Sequence, residues 1–273
     1  MRTTFVWMLL AGLACAAPAP KVDPESWVGR TVLIELDPVR FYPELPNAPD
    51  AAKGGVLAHI DYRVLAERGD FVQVHEYGRS VWVAKADLLR LADAERWFGH
   101  GTAQNPTNPR YHAYRAWAHK LNGNFRAALE DLDRAVGLDP SDSAWLNNRG
   151  VVRRDLKQYP EAVADFTSAL KLRPGDSLSL RNRADAHRDL GEYAKAGTDY
   201  RDATKSNPHD AVIHNNYGWM LATCPDEKVR DGKAAMQLAR VALEKIGTPT
   251  AVIMDTVAAA HAELGEFAKA AEA

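Results

Sequence analysis

Cysteine is nearly absent: of 273 residues only Cys15 and Cys224 carry a thiol. If Cys15 leaves with an N-terminal leader, no internal disulfide can form. Net charge is almost absent too, at −2, which gives no basic footprint for nucleic acid. No polybasic run is present to hold the protein on an anionic membrane. Beyond the N-terminus no apolar run approaches the ~20 residues that a membrane-spanning helix needs. HExxH, GxSxG, Walker and GxGxxG patterns with the right flanks are also missing, so the chain carries no catalytic signature and no sign of a cofactor or metal. What remains is an ordinary apolar content of 46% and charged content of 26%, the composition of a soluble, folded and unspecialised protein, and with no catalytic motif the expectation is that it is not an enzyme.

The N-terminus does have a pattern. "MRTTFVWMLLAGLACAAPAP" sets Arg2 before an apolar run from Phe5 to Leu13, then small residues and prolines. This is the charged, apolar and small-residue order of a secretory signal over residues 1–17, cleaved after Ala16 or Ala17. Acylation at Cys15 is the weaker alternative, because Gly12 stands three residues ahead of it, where lipoprotein signals carry an aliphatic residue. The expected location is therefore periplasmic or extracellular.

The decisive feature is a period of 34. Pro106, Pro140, Pro174 and Pro208 are spaced by 34 residues each time. Twelve residues before each stands Ala94, Ala128, Ala162 or Ala196; eight before, Phe98, Leu132, Phe166 or Tyr200; five before, Gly101, Ala135, Ala169 or Ala203. Phe125, Tyr159 and Tyr193 recur ahead of the alanines, and Ala116, Gly150, Ala184 and Gly218 form a small-residue column. Each period predicts a helical hairpin. The small residue lets the first helix approach its partner, and the proline ends the second helix because it cannot continue the hydrogen-bond ladder. Pro160 falls at a helix start, where a missing N–H costs little.

These columns resemble the tetratricopeptide repeat, most closely in "WLNNRGVVRRDLKQYPEAVADFTSALKLRP" at 145–174, despite Leu146 for the usual Trp and Lys157 for a turn Gly. The resemblance covers roughly residues 94–273. It implies a mainly α solenoid of four to five helical hairpins: an isolated capping helix at 92–106, then repeats at 107–140, 141–174 and 175–208, a divergent one at 209–247 and an incomplete one at 248–273. The divergent repeat contains "NNYGWMLATCPDEKVRDGKAAM", whose alanine arrives at Ala235, about five residues late. Pro225 ends one helix there and "DGKAAMQLARVALEK" begins the next. "LATCPD…RDG" resembles the final repeat of exported bacterial tetratricopeptide proteins that carry an N-terminal SH3-like module. Cys224 is then a bystander thiol at a helix end, lacking the cation or helix N-terminus that activates a nucleophile. The fifth repeat, with Ala258, Gly265 and Phe267 in register, stops early in its second helix, so either the sequence is truncated or the last apolar face stays partly uncovered.

Residues 26–91 read differently. "RTVLIEL", "YRVLAERGDFVQVHE" and "SVWVAKADLLRL" are short β-rich runs between turns, as in a small barrel. "YRVLAERGDFVQVHEYGRSVWVAKADL" resembles bacterial SH3-like domains. In that frame Phe71 and Trp82 are expected in the core, while Phe41 and Tyr42 in a proline-rich loop are candidates for a ligand groove.

In tetratricopeptide arrays the first helices line a concave face that holds extended peptides. The resemblance transfers that role to Arg110, Trp117 and Lys120 in the first repeat, and to Asn147, Val151 and Arg154 in the second. It adds Arg181, Asp185 and Arg188 in the third and Asn215 and Trp219 in the fourth; Asn148, Asn182 and Asn216 form a further column. Asparagine can bond a peptide backbone as donor and acceptor, and arginine suits carboxylates. The arginines outnumber the acids, so the expected partner is a protein segment that is acidic or ends in a free carboxylate. The carboxylate-clamp arrangement is not reproduced, since Ala113 and Trp117 stand where its first-repeat Lys and Asn would be. Arg154 and Arg188 are expected to be exposed. His119, His187 and His261 share one column, too far apart to share a metal. The alternative function is that of a cell-wall accessory protein binding cell-wall peptide through the SH3-like segment.

Overall fold

A computed structural model describes residues 26, 30–34, 61–76, 79–85, 88–247 and 249–272. The expected leader with Cys15, and the loop with Phe41 and Tyr42, lie outside the described residues. The chain divides into two compact units between Arg90 and Leu91.

The first unit has strands β1 (Thr31–Ile34), β2 (Asp61–Arg63), β3 (Ala66–Arg68), β4 (Phe71–Glu76), β5 (Arg79–Ala84) and β6 (Leu88–Arg90). They form two three-stranded sheets, ordered β2-β1-β6 and β3-β4-β5, with antiparallel pairing throughout. Val32, Tyr62, Val64, Val72, Val74, Val81, Val83 and Leu88 make one core drawn from both sheets. Closure of the two sheets into a barrel is not seen among the described residues. Successive strand residues point to opposite faces, and this corrects the expectation for the aromatics. Valines 72, 74, 81 and 83 take the buried face, whereas Phe71 and Trp82 lie half-buried on the other, Trp82 opposite Gln73.

The second unit is helical: α1 (Leu91–Gln104), α2 (Pro109–Leu121), α3 (Phe125–Leu138), α4 (Ser143–Asp155), α5 (Tyr159–Leu172), α6 (Ser177–Asp189), α7 (Tyr193–Ser206), α8 (Ala211–Thr223), α9 (Gly232–Ile246), α10 (Ala251–Glu263) and α11 (Phe267–Glu272). None is long and apolar enough to cross a membrane among the described residues. The period of 34 is written into the packing. Ala128, Leu132 and Ala135 of α3, Ala162, Phe166 and Ala169 of α5, and Ala196, Tyr200 and Ala203 of α7 are all buried. Gly150 is obligatory on α4, because a Cβ there would sit 2.6 Å from the Phe166 ring.

A further column escaped the sequence reading. Two residues after each repeat proline, Asn108, Asp142, Asp176 and Asp210 cap the first helices, their side chains accepting from Arg110, Ala144, Ser179 and Val212 backbone N–H groups. Each such cap contributes ~1 kcal/mol. It also fixes the residue at which these four first helices begin, and so which of their side chains face the groove.

Candidate peptide-binding groove

The first helices α2, α4, α6, α8 and α10 lie side by side. Asn182 on α6 donates through Nδ2 to Asn147 Oδ1 on α4 at 3.0 Å, and Thr256 Oγ1 on α10 donates to Asn215 Oδ1 on α8 at 2.9 Å. Along this face run two cavities. The first, of about 370 Å³, is walled by Trp117 and Lys120 from α2, Asn147, Asn148, Val151 and Arg154 from α4, Arg181, Asn182 and Asp185 from α6, and Asn216 from α8. The second, of about 240 Å³, takes Arg188 from α6, Asn215, Asn216 and Trp219 from α8, and Asp255 from α10. Of the side chains expected in the groove, only Arg110 lines neither; it sits exposed in the first turn of α2.

The charges are arranged otherwise than expected. Arg154 and Arg188 are not free and exposed but half-buried and ion-paired. Arg154 Nη1 donates to Asp185 Oδ2 at 2.9 Å, and its Nε lies 3.4 Å from Asp189. Arg188 Nη1 lies 3.4 Å from Asp185 and its Nη2 donates to Asp189 at 3.3 Å. The Tyr200 hydroxyl also donates to Asp185, which is buried. Burial first and this carboxylate second push the Tyr200 hydroxyl well above its ordinary value. A carboxylate receiving two guanidiniums and a phenol holds both arginines against the floor, so neither projects at a ligand. Reversing both arginines would strand Asp185, and that pair of changes would damage the fold.

Two cations of the first cavity remain. Lys120 Nζ stands over the Trp117 ring, 4.8 Å from its centroid, with Asp155 only at 4.0 Å. Arg181 has one weak bond, to Asn182 Oδ1 at 3.4 Å, and no carboxylate partner among the described residues. Asn148 and Asn216 are half-buried, and their side chains bond no other described residue. By contrast Asn147, Asn182 and Asn215 are buried and spend their amides on one another and on Thr256. The asparagines therefore split into inter-helix ties and groove-facing amides.

Sequence reasoning missed an apolar column. Leu178, Val212 and Val252 stand at the second position of α6, α8 and α10, and are 45%, 50% and 65% exposed. They line the two cavities together with Trp219. Counting 34 residues from Leu178 reaches Val212, so the period held the signal.

Comparison with known proteins agrees with this geometry. A tetratricopeptide-repeat family model matches residues 114–177 and 181–247. The helical unit is an array of tetratricopeptide repeats. Similar solved structures include MamA, at 19% identity over 59% of this chain and 90% of that one, with a TM-score of 0.50. A tetratricopeptide repeat protein from Parabacteroides merdae matches at 22% identity over 60% of this chain and 63% of its own, with a TM-score of 0.51. At these identities the likeness is one of fold. Among curated proteins the chain has no match.

Within the array, a second set of paired columns went unread. Arg115, Arg149 and Arg183 on the first helices each clamp a buried aspartate on the following helix: Asp131, Asp165 and Asp199. The same guanidiniums reach back to the preceding repeat, at Thr102, Asp133 and Thr167. Hydrogen bonding to its aspartate raises Arg115 and Arg149 above the ordinary guanidinium value. The histidine column stays with carboxylates: His187 Nδ1 is 2.6 Å from Glu192, His261 Nδ1 is 2.6 Å from Glu266, and His119 lies between Glu95 and Asp131. Cys224 is buried at the C-terminal cap of α8, and the loop it opens is tied down by Arg230. That side chain donates through Nη1 to the Cys224 carbonyl at 3.1 Å and places its Nε 3.1 Å from Glu263 on α10.

Proposed function

We propose that the concave groove of the array binds an extended segment of a partner protein, and that this protein is an exported, non-catalytic interaction scaffold. The observation carrying the reading is the pair of consecutive cavities lined by side chains of successive first helices, with exposed apolar residues beside unengaged amides. Apolar anchors supply affinity and a few polar groups fix orientation, the usual division in a binding cleft. A carboxylate of the partner, from an acidic residue or a chain terminus, would be received by Arg181, with Lys120 a second cation on the wall of the same cavity, since Arg154 and Arg188 are taken by Asp185. Export rests on the N-terminal pattern, and an SH3-like role for the β unit rests on its sequence.

The test is co-purification from a bacterial envelope extract with the tagged full chain beside Leu178→Asp/Val212→Asp. Both positions are about half exposed, so the double variant keeps the helical circular dichroism of the wild type. A protein recovered by the wild type and lost by the variant supports the groove. Equal recovery by both, or recovery of cell-wall fragments alone, moves the function to the β unit and refutes the groove.

A further inference from the structure

In the first cavity the array shows how it holds a cation of its own. The Lys120 ammonium lies over the Trp117 indole, 4.8 Å from the ring centroid, with Asp155 of α4 at 4.0 Å. A cation in that place is attracted by the quadrupole of the ring face. Trp219 on α8 stands three periods of 34 after Trp117, in the same column. Its own cation is gone: the position three periods after Lys120 is Ala222, which is buried. Trp219 is left 40% exposed on the wall of the second cavity. Asp255 of α10 shares that wall, exposed and without an ion-pair partner among the described residues. It stands near the start of α10 while Asp155 ends α4, so the cavity and not the repeat brings it to Trp219. No lysine or arginine lies on α8 or α10. Arg188, also on the wall, is held by Asp185 and Asp189. Arg154 and Arg188 balance those two acids, which leaves Asp255 an unpaired negative charge in the second cavity and Arg181 an unpaired positive one in the first.

Resting on the groove reading above, we infer that the second cavity receives a cationic side chain of the partner segment, a lysine ammonium or an arginine guanidinium, held over Trp219 and against Asp255. The partner thus supplies to Trp219 what Lys120 supplies to Trp117 within the chain. Asn216 belongs to the walls of both cavities. A segment crossing from one to the other therefore sets its carboxylate at Arg181 and its cation at Asp255. The partner is not simply acidic; it carries both charges, in an order that the groove dictates.

The test follows the indole N–H resonances of the nitrogen-15-labelled full chain, with the Trp219 signal assigned by its loss in Trp219→Phe. The probes are the N-acetyl amides of arginine and lysine, set against that of citrulline, which keeps the shape of arginine without its charge. Arginine amide, lysine amide or both are expected to shift the Trp219 signal with an affinity about fivefold above that of citrulline amide. Which of the two does so names the side chain. Asp255→Asn, a change at an exposed position, is expected to remove that advantage and leave the other indole signals in place. Equal effects of the three probes, or an advantage that survives Asp255→Asn, overturns the cation site. In co-purification, Asp255→Lys is expected to lose the protein that the wild type recovers. If Asp255→Lys retains a protein that Leu178→Asp/Val212→Asp loses, this inference is overturned and the groove stands. If no recovered protein depends on the groove, both readings of the partner fall.

Discussion

The Asp165 carboxylate is a sensitive point of the array. It is buried on α5 and accepts from Arg149 Nε at 3.0 Å, Arg149 Nη2 at 2.7 Å and Arg153 Nη1 at 2.8 Å. Asp165→Leu deletes all three bonds and leaves two partly buried guanidiniums facing an apolar group. Breaking one side of a buried ion pair costs ~3–5 kcal/mol. Asp133, 3.0 Å from Arg149 and 3.8 Å from Arg153, retains part of the charge compensation, which sets the expectation at the lower end. A loss of ~3 kcal/mol corresponds to a fall in Tm of about 6–12 °C for an array of this size. The array itself offers the control. In its fourth repeat the same two positions are Tyr217 and Leu238, both packed in an apolar cluster. Arg149→Tyr with Asp165→Leu is therefore expected to recover most of the loss, since a buried pair replaced whole by apolar groups is often neutral. Urea and thermal melts followed at 222 nm decide it. If Asp165→Leu alone melts within 2 °C of the wild type, or the double change melts lower than the single one, the clamps do not hold the repeats together.

Three further outcomes are expected. Lys157 has φ 62° at the turn where neighbouring repeats place Gly123 and Gly191, so Lys157→Gly should stabilise by ~0.5–1 kcal/mol, read as a higher urea midpoint; a lower midpoint would refute the strain. Gly232→Val puts carbon against Leu264 Cγ at 3.1 Å and the Ala260 carbonyl oxygen at 3.2 Å, so it should cost ~1–3 kcal/mol and speed amide exchange in α10; unchanged exchange would mean that α9 and α10 do not meet there. Tyr200 has its hydroxyl raised from 10.0, so the folded chain keeps a proton that the unfolded chain loses, and this contribution is full below pH 10 and lost as pH rises above it. Alkaline melts of Tyr200→Phe should accordingly fall less steeply above pH 10 than those of the wild type, and identical slopes would refute a Tyr200 hydroxyl raised by burial and by Asp185.

Whatever depends on one residue's own column was legible in the sequence. Proline, alanine and small-residue columns located the hairpins, and all the transferred groove positions but Arg110 fall on the cavity walls, because a period fixes the face on which a residue sits. Contacts between columns were not legible in the same way. Arg154 and Asp185 were both assigned to the groove, yet their partnership runs between helices, 31 residues apart in sequence. Three less than a full period is the offset from one first helix to the facing residue of the next. Applied to Lys120 the same offset reaches Val151, and applied to Arg188 it reaches Trp219. At this offset only Arg154 therefore meets an acid on the following helix, while Lys120 is left over Trp117 and Arg188 turns back to its own helix at Asp185 and Asp189. The Arg149–Asp165 clamp, repeated as Arg115–Asp131 and Arg183–Asp199, obeys a second offset of 16 within each repeat. Composition and single columns hide both offsets, because a charge column alone is indistinguishable from a solvated helix face. A charge column becomes structural when a column of opposite charge keeps step with it at a fixed offset; the three arginine–aspartate clamps at an offset of 16 meet that condition, whereas Arg154–Asp185 is a single pair that no column announces.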